Sequence, residues 1–258
     1  MRILFIGDIV GKPGRRVVRE LLPQLRAELG IDFVIANVEN AAGGAGITEN
    51  VVKEIHDYGI DVLTGGNHTW DKREVFSFID KYPWLLRPAN YPPDTPGRGV
   101  GIYTAETGVE VAVINLMGRL FMGYYDCPFR TGDKILEKIE TKIKIIDFHA
   151  ETTSEKQAIG HYFAGRVTAV LGTHTHVQTS DERILKDTTA YITDVGMTGG
   201  LDGVIGVKKE LAIERFLKLL PNRFEPSKEN LGLEGAFFIV ELETGKAKEI
   251  QRIRRYFQ

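Results

Sequence analysis

Met1-Arg2-Ile3-Leu4-Phe5-Ile6-Gly7-Asp8 opens the chain, and its reading decides the fold. The apolar run is cut short by Gly7-Asp8, far below a membrane span and too short for a signal-peptide core. It therefore reads as a buried first strand with a carboxylate at its carboxyl end. Seven more segments share that character: Phe33–Asn37, Val62–Gly65, Val109–Leu116, Ile145–Phe148, Ala169–Gly172, Tyr191–Thr193 and Phe237–Leu242. Amphipathic stretches lie between them, at Gly14–Leu29, Glu49–Tyr58, Lys72–Lys81, Asp133–Lys144, Glu155–Ala164 and Lys209–Leu220. In the first, Val17, Leu21, Leu22, Leu25 and Leu29 recur at helical spacing. Thr48 is a natural N-cap for the second, and Gly59 a natural stop. Strand–helix alternation predicts a layered α/β sheet structure.

The 258 residues suit one domain. The segment 87–130 begins with four of the ten prolines and ends in Phe121, Tyr124, Tyr125 and Phe129, which predicts a small lid or insertion. The lone Cys127 excludes a disulfide framework and a thiolate zinc knuckle. A net charge of −2, with no basic block, argues against a broad grip on long nucleic acid. The expected setting is the cytoplasm, with no membrane contact and with a homo-oligomer as the assembly.

Chemistry-bearing residues fall just past the strands. Asp8 follows the first, Glu39 and Asn40 the second, and Asn67 and His68 the third. His149 ends the Ile145–Phe148 strand, and His174 and His176 follow Ala169–Gly172. The carboxyl ends of strands are where open α/β sheets bind ligands. Carboxylate, amide and imidazole donors without cysteine suit Mn, Fe, Zn or Mg. Glu39 is the natural bridge between two cations, because a carboxylate has two donor oxygens. His174 and His176 share a side if their segment is extended, whereas a loop would aim them apart. Taken singly, each residue has a plainer reading: Asp8 as a cap, Asn40 and Asn67 as turn formers, His149 as a hydrogen-bonded core residue. His56 and His161 lie inside predicted helices and are assigned no role. Lys12, Arg15 and Arg16 read as an exposed basic helix face. Gly43-Gly44-Ala45-Gly46 fits either a plain loop or a close approach to phosphate. Gly7–Lys12 is too short for a phosphate-binding P-loop.

Gly7-Asp8, Gly66-Asn67-His68, His149 and Gly172-Thr173-His174-Thr175-His176 resemble the metallophosphoesterase signature. Val10 stands where that signature has its first histidine, Asn37-Val38-Glu39-Asn40 replaces its second motif, and Thr69 follows the Gly-Asn-His. These departures, together with Gly66–Asp71, Thr173–Thr179 and Thr193–Gly199, resemble the YmdB family of bacterial phosphodiesterases over essentially the whole chain. The resemblance implies an α/β/α metallophosphoesterase sandwich that hydrolyses phosphodiesters, 2′,3′-cyclic nucleotides included, with two metal ions of the Fe or Mn type. It implies Asp8, Glu39, Asn40 and His176 around one metal, and Glu39, Asn67, His149 and His174 around the other. Two such cations, about 3.5–4 Å apart, would share the attacking hydroxide and clamp the phosphate. An imidazole with an ordinary pKa of about 6.5 can protonate a leaving oxygen near neutral pH, which assigns His68 as general acid. Asp147 is a candidate orienter of His149, or a simple strand residue. The alternatives are phosphomonoester or nucleotide hydrolysis on the same site, and a regulatory protein that binds nucleotide or RNA with low turnover.

Overall fold

The computed structural model describes residues 1–257. The chain runs β1 (Arg2–Ile6), β2 (Asp8–Ile9), α1 (Gly11–Leu29), β3 (Phe33–Asn37), α2 (Glu49–Asp57), β4 (Val62–Thr64), α3 (Val75–Phe78), β5 (Val100–Thr104) and β6 (Glu110–Met117). It continues through α4 (Pro128–Leu136), β7 (Ile143–His149), α5 (Thr153–Phe163), β8 (Ala169–Thr173), β9 (Arg183–Leu185), β10 (Thr189–Ile192) and β11 (Met197–Gly200). α6 (Lys209–Lys218), β12 (Leu231–Val240) and β13 (Ala247–Tyr256) complete it.

Two sheets stack face to face. The first has the order β2-β11-β12-β1-β3-β4, with β13 also paired to β12. The second has the order β5-β6-β7-β8-β10-β9. Strand side chains alternate between faces. Leu4, Ile6, Val34 and Ala36 therefore meet Val17, Leu21 and Leu22 of α1 and Val52 and Ile55 of α2. On the opposite face Ile3, Phe5, Phe33 and Ile35 meet Val113, Ile145 and Leu171 of the second sheet. Ile114, Leu116, Ile146 and Phe148 point outward again, onto Ile159 and Phe163 of α5. The expected layered α/β sandwich holds, and its β layer is two sheets thick. Each fully buried Phe, Leu or Ile contributes about 1.5–3 kcal/mol of transfer free energy, so three stacked cores set the site on a rigid base.

β1, β3 and β4 are parallel, as are β6, β7, β8 and β10. Their carboxyl ends open on one edge. Thr48 caps α2 by accepting from Val51 N, and Gly59, with φ 93°, follows the helix.

Three expectations need correction. The helix predicted over Asp133–Lys144 instead spans Pro128–Leu136, with Pro at its first turn, and Ile143 and Lys144 belong to β7. Burial of Ile143 and Ile145 in the inter-sheet core outweighs the helical reading there. The predicted Lys72–Lys81 helix shrinks to the single turn of α3, and a separate 3-10 turn, Asn67–Trp70, precedes it. β13 and β11 lie outside the expected strands, because one is half charged and the other, Met197-Thr198-Gly199-Gly200, reads as a turn. Of the segment 87–130, β5 and β6 join the second sheet, leaving irregular stretches on either side. No helix among the described residues is long and apolar enough to cross a membrane.

Candidate metal centre

Every chemistry-bearing residue singled out in the sequence reaches the same strand edge. Asp8, Glu39, Asn40 and His149 are buried, while Asn67, His174 and His176 are half-buried. His149 is the hub. Its Nε2 lies 3.1 Å from Glu39 Oε1, 3.0 Å from Asn67 Oδ1 and 3.1 Å from His174 Nδ1. Glu39, His149 and His174 place one donor atom each within 4.8 Å of one another, a group able to hold a metal ion.

The far side of the His149 ring explains its orientation. Nδ1 lies 2.9 Å from Thr173 Oγ1, and that hydroxyl donates to Asp147 Oδ1 at 2.7 Å. The single hydroxyl proton is thereby used, so Thr173 accepts from Nδ1–H and Nε2 is turned to the centre. Asp147 thus orients His149 through Thr173 rather than by direct contact. Burial pushes the Asp147 carboxyl up to about 6 despite the nearby His149.

A second cluster adjoins the first. Asp8 Oδ1 lies 3.6 Å from His176 Nε2 and is buried without a hydrogen-bond partner. Asn40 Nδ2 lies 3.2 Å from His176 Nε2 and 3.3 Å from Glu39 Oε1. His176 Nδ1 lies 2.9 Å from Ile205 O, which fixes the tautomer with Nε2 facing inward.

The two buried carboxylates draw on neighbouring imidazoles for positive charge. Burial alone would raise Asp8 and Glu39, but His176 beside the first and His149 beside the second hold both below the usual carboxylate range. Burial would lower His176, and the Asp8 carboxylate instead lifts it to about 9. Burial, with His149 adjoining, drops His174 to about 3, so it offers a lone pair. Carboxylate, amide and imidazole donors converge, and one buried carboxylate oxygen is orphaned. Such a donor set fits cations of the borderline-hard kind.

Gly66 makes the convergence possible. A Cβ there would stand 2.3 Å from both Glu39 Oε2 and His149 Nε2. His174 and His176 sit on a turn, not an extended segment, with φ of 99° and 63°. Two left-handed residues flanking Thr175 aim the two rings at different clusters. Asp194 secures the turn: its Oδ2 accepts from Thr175 N at 3.1 Å and Thr175 Oγ1 at 2.8 Å.

His68 sits at the rim, with its side chain 41 % exposed. Its backbone N–H donates to Glu39 Oε2 at 2.8 Å, and its Nδ1 lies 2.7 Å from Asp71 Oδ2. Asp71, the partner of His68, is marked in the sequence only as the end of the Gly66–Asp71 stretch and by its i+3 spacing on the turn that carries His68. Asp194 is marked only as part of the Thr193–Gly199 stretch, and Lys72, Arg223 and Phe224 escape sequence reasoning, since nothing local marks them. A cleft of about 580 Å³ opens over the centre, lined by Glu39, Asn40, His68, His174 and His176 and by the Gly43–Ala45 loop. Val10 lines it too, where the signature has a histidine.

His56, expected to be structural, is so: its Nδ1 lies 2.8 Å from Ile60 O, and its ring stacks on Trp84. Arg15 is not on an exposed face: it donates to Ala41 O at 2.6 Å and pairs with Glu54, bracing the loop beyond β3.

A family model described as YmdB-like protein matches residues 4–253. The chain is 51 % identical over 255 residues to the 2′,3′-cyclic-nucleotide 2′-phosphodiesterase of Bacillus subtilis, covering 98 % of this chain and 96 % of that one. A crystal structure of a hypothetical protein from Thermus thermophilus superposes with a TM-score of 0.93 at 39 % identity, covering 99 % of both chains. A novel phosphatase from Mycoplasma pneumoniae superposes with a TM-score of 0.93 at 34 % identity, covering 99 % of this chain and 93 % of that one. From the His149 hub to the match along nearly its whole length, this chain belongs to the YmdB-like family.

Proposed function

We propose that this protein is a two-metal phosphodiesterase that opens small phosphodiesters such as 2′,3′-cyclic nucleotides to 3′-nucleotides. The observation that carries the reading is the convergence of Glu39, Asn67 and His174 on His149 Nε2, next to the orphaned Asp8 Oδ1. Its similarity to the Bacillus subtilis phosphodiesterase supports the substrate class. Asp8, Glu39, Asn40 and His176 would hold one ion, and Glu39, Asn67, His149 and His174 the other, with Glu39 shared. The donor set suits Fe or Mn, with Zn or Mg as the next choices.

Bound cations would activate the attacking water and offset charge on the phosphate. The chain's own residues do the rest. Asp147, through Thr173, holds His149 Nε2 inward. The Ile205 carbonyl does the same for His176. His68, oriented by Asp71, delivers a proton from Nε2 to the departing 2′ oxygen, which leaves a 3′-monophosphate. The irregular loop between β6 and α4 is the lid-like part of the segment 87–130. The enzyme works in the cytoplasm as a homo-oligomer; exposed Phe216, Leu217, Leu219 and Leu220 around the end of α6 supply an apolar contact surface. Monoester hydrolysis on the same centre is the second reading, favoured by the likeness to the Mycoplasma phosphatase.

The test is hydrolysis of 2′,3′-cyclic AMP with added Mn²⁺, with and without chelator, and chromatography of the product. Chelator-sensitive release of 3′-AMP is expected. Protein that binds both metals yet turns over no diester with Mn²⁺ or Fe²⁺ would defeat the reading.

A further inference from the structure

The cleft extends past the metal centre into a region the phosphoryl chemistry does not use. Its far wall is apolar, formed by Val10, Ile205, Val207, Phe224 and Pro226. Phe224 is 41 % exposed, and the guanidinium of Arg215 lies 5.4 Å from its ring centroid. An aromatic ring backed by a cation and left open to a cleft is a platform for a flat ligand.

The wall is built in place rather than draped there. Lys208 N donates to Glu225 O at 2.9 Å, and Ser227 N donates to Gly206 O at 2.8 Å. Pro226 seats against two glycines: a Cβ at Gly11 would stand 2.8 Å, and one at Gly44 3.3 Å, from its Cγ. Ile205 has φ 48°, a conformation a β-branched residue rarely adopts. The same residue turns its carbonyl to His176 Nδ1 and also lines the cleft. Wall and metal centre are thereby held in one register, with the strain located where function explains it.

The cleft carries charge of both signs. Lys72 and Arg223 line it. Of the acids beside them, Glu225 is paired with Lys208 at 2.5 Å, while Glu151 lies 3.1 Å from a neutral His174 and keeps its charge.

We propose that this wall is the nucleobase subsite, with Phe224 the stacking platform that makes a base-bearing diester the preferred substrate. The inference rests on the phosphodiesterase reading of the adjoining centre. A cyclic phosphate at the metals sends its nucleoside along the cleft, towards the apolar wall. Because every base offers a π-face, the subsite selects for a base without selecting strongly among bases.

Metal-loaded protein is assayed on 2′,3′-cyclic AMP and on glycerol 1,2-cyclic phosphate, which keeps the five-membered ring and lacks the base. Phe224→Ala is expected to lower the ratio of the two kcat/KM values about ten-fold, the size of one stacking contact. Phe224→Trp keeps the ratio. Partial exposure of Phe224 makes loss of folding in the Ala variant unexpected, and circular dichroism checks it. An unchanged ratio in Phe224→Ala overturns the subsite, including the case where both esters slow equally. If the unaltered protein hydrolyses neither ester, the phosphodiesterase reading fails, and the subsite is then judged by calorimetry of 3′-AMP. A roughly ten-fold weaker affinity in Phe224→Ala sustains it; equal affinity overturns it.

Discussion

Lys156 Nζ lies 2.6 Å from Asp194 Oδ2, and both side chains are 1 % exposed. The pair is the support beneath the His174–His176 turn, because the same Asp194 oxygen holds Thr175 between the two histidines while Oδ1 accepts from Gly196 N at 2.9 Å. Lys156→Ala leaves a buried carboxylate with no countercharge. The expected cost is about 3–5 kcal/mol of stability, read by urea denaturation. A loss below about 1 kcal/mol would show that Asp194 finds its compensation elsewhere.

His68→Ala should slow turnover of 2′,3′-cyclic AMP about 10²–10⁴-fold with both metals retained. Elemental analysis of the purified variant separates the roles: a variant stripped of metal would make His68 a ligand instead of the acid. Asp71→Asn should share the defect in reduced form, since an amide oxygen at that position could still accept from Nδ1–H but would not stabilise the imidazolium.

Gly66→Ala tests the close approach of backbone to the centre. The new methyl would displace Glu39 or His149. Metal stoichiometry should fall while the melting profile without metal shifts little. Full metal content and full activity in this variant would contradict the geometry.

Thr173→Val removes the hydroxyl that links His149 to Asp147 while keeping side-chain size. Weaker metal retention is expected, on the order of 10–100-fold, as for other residues that orient metal-binding histidines. Competition with a chelator of known affinity measures it; unaltered retention would mean that packing alone holds the ring.

Phe216→Glu together with Leu217→Glu addresses assembly. Both side chains are largely exposed on α6. Sedimentation should show a smaller species than the unaltered protein. No change in mass would remove this face from the assembly interface.

Much of the fold is legible in the sequence because parallel strands buried on both faces read as unbroken apolar runs, such as Phe33–Asn37. β13 is illegible because Ala247-Lys248-Glu249-Ile250-Gln251-Arg252 carries its information in its pairing with β12, not in its own hydrophobicity. The Asp133–Lys144 stretch misleads because short apolar spacings fit a helix and a strand alike until packing decides.

By itself the sequence determined which donor types stand past which strands: Asp8, Glu39 and Asn40, Asn67 and His68, His149, and His174 with His176. The reason is local, since apolar runs announce strands and polar residues that end them are read in order. Only the tertiary structure decided how those donors divide. It sent His174 and His176 to separate clusters through two left-handed residues, and it put Thr173 between Asp147 and His149. It also carried Phe224 and Ile205, remote in sequence from every donor, to the rim of the same cleft. Orientation and distance between strands come from twist, register and the packing of two sheets, and no single stretch of chain encodes them.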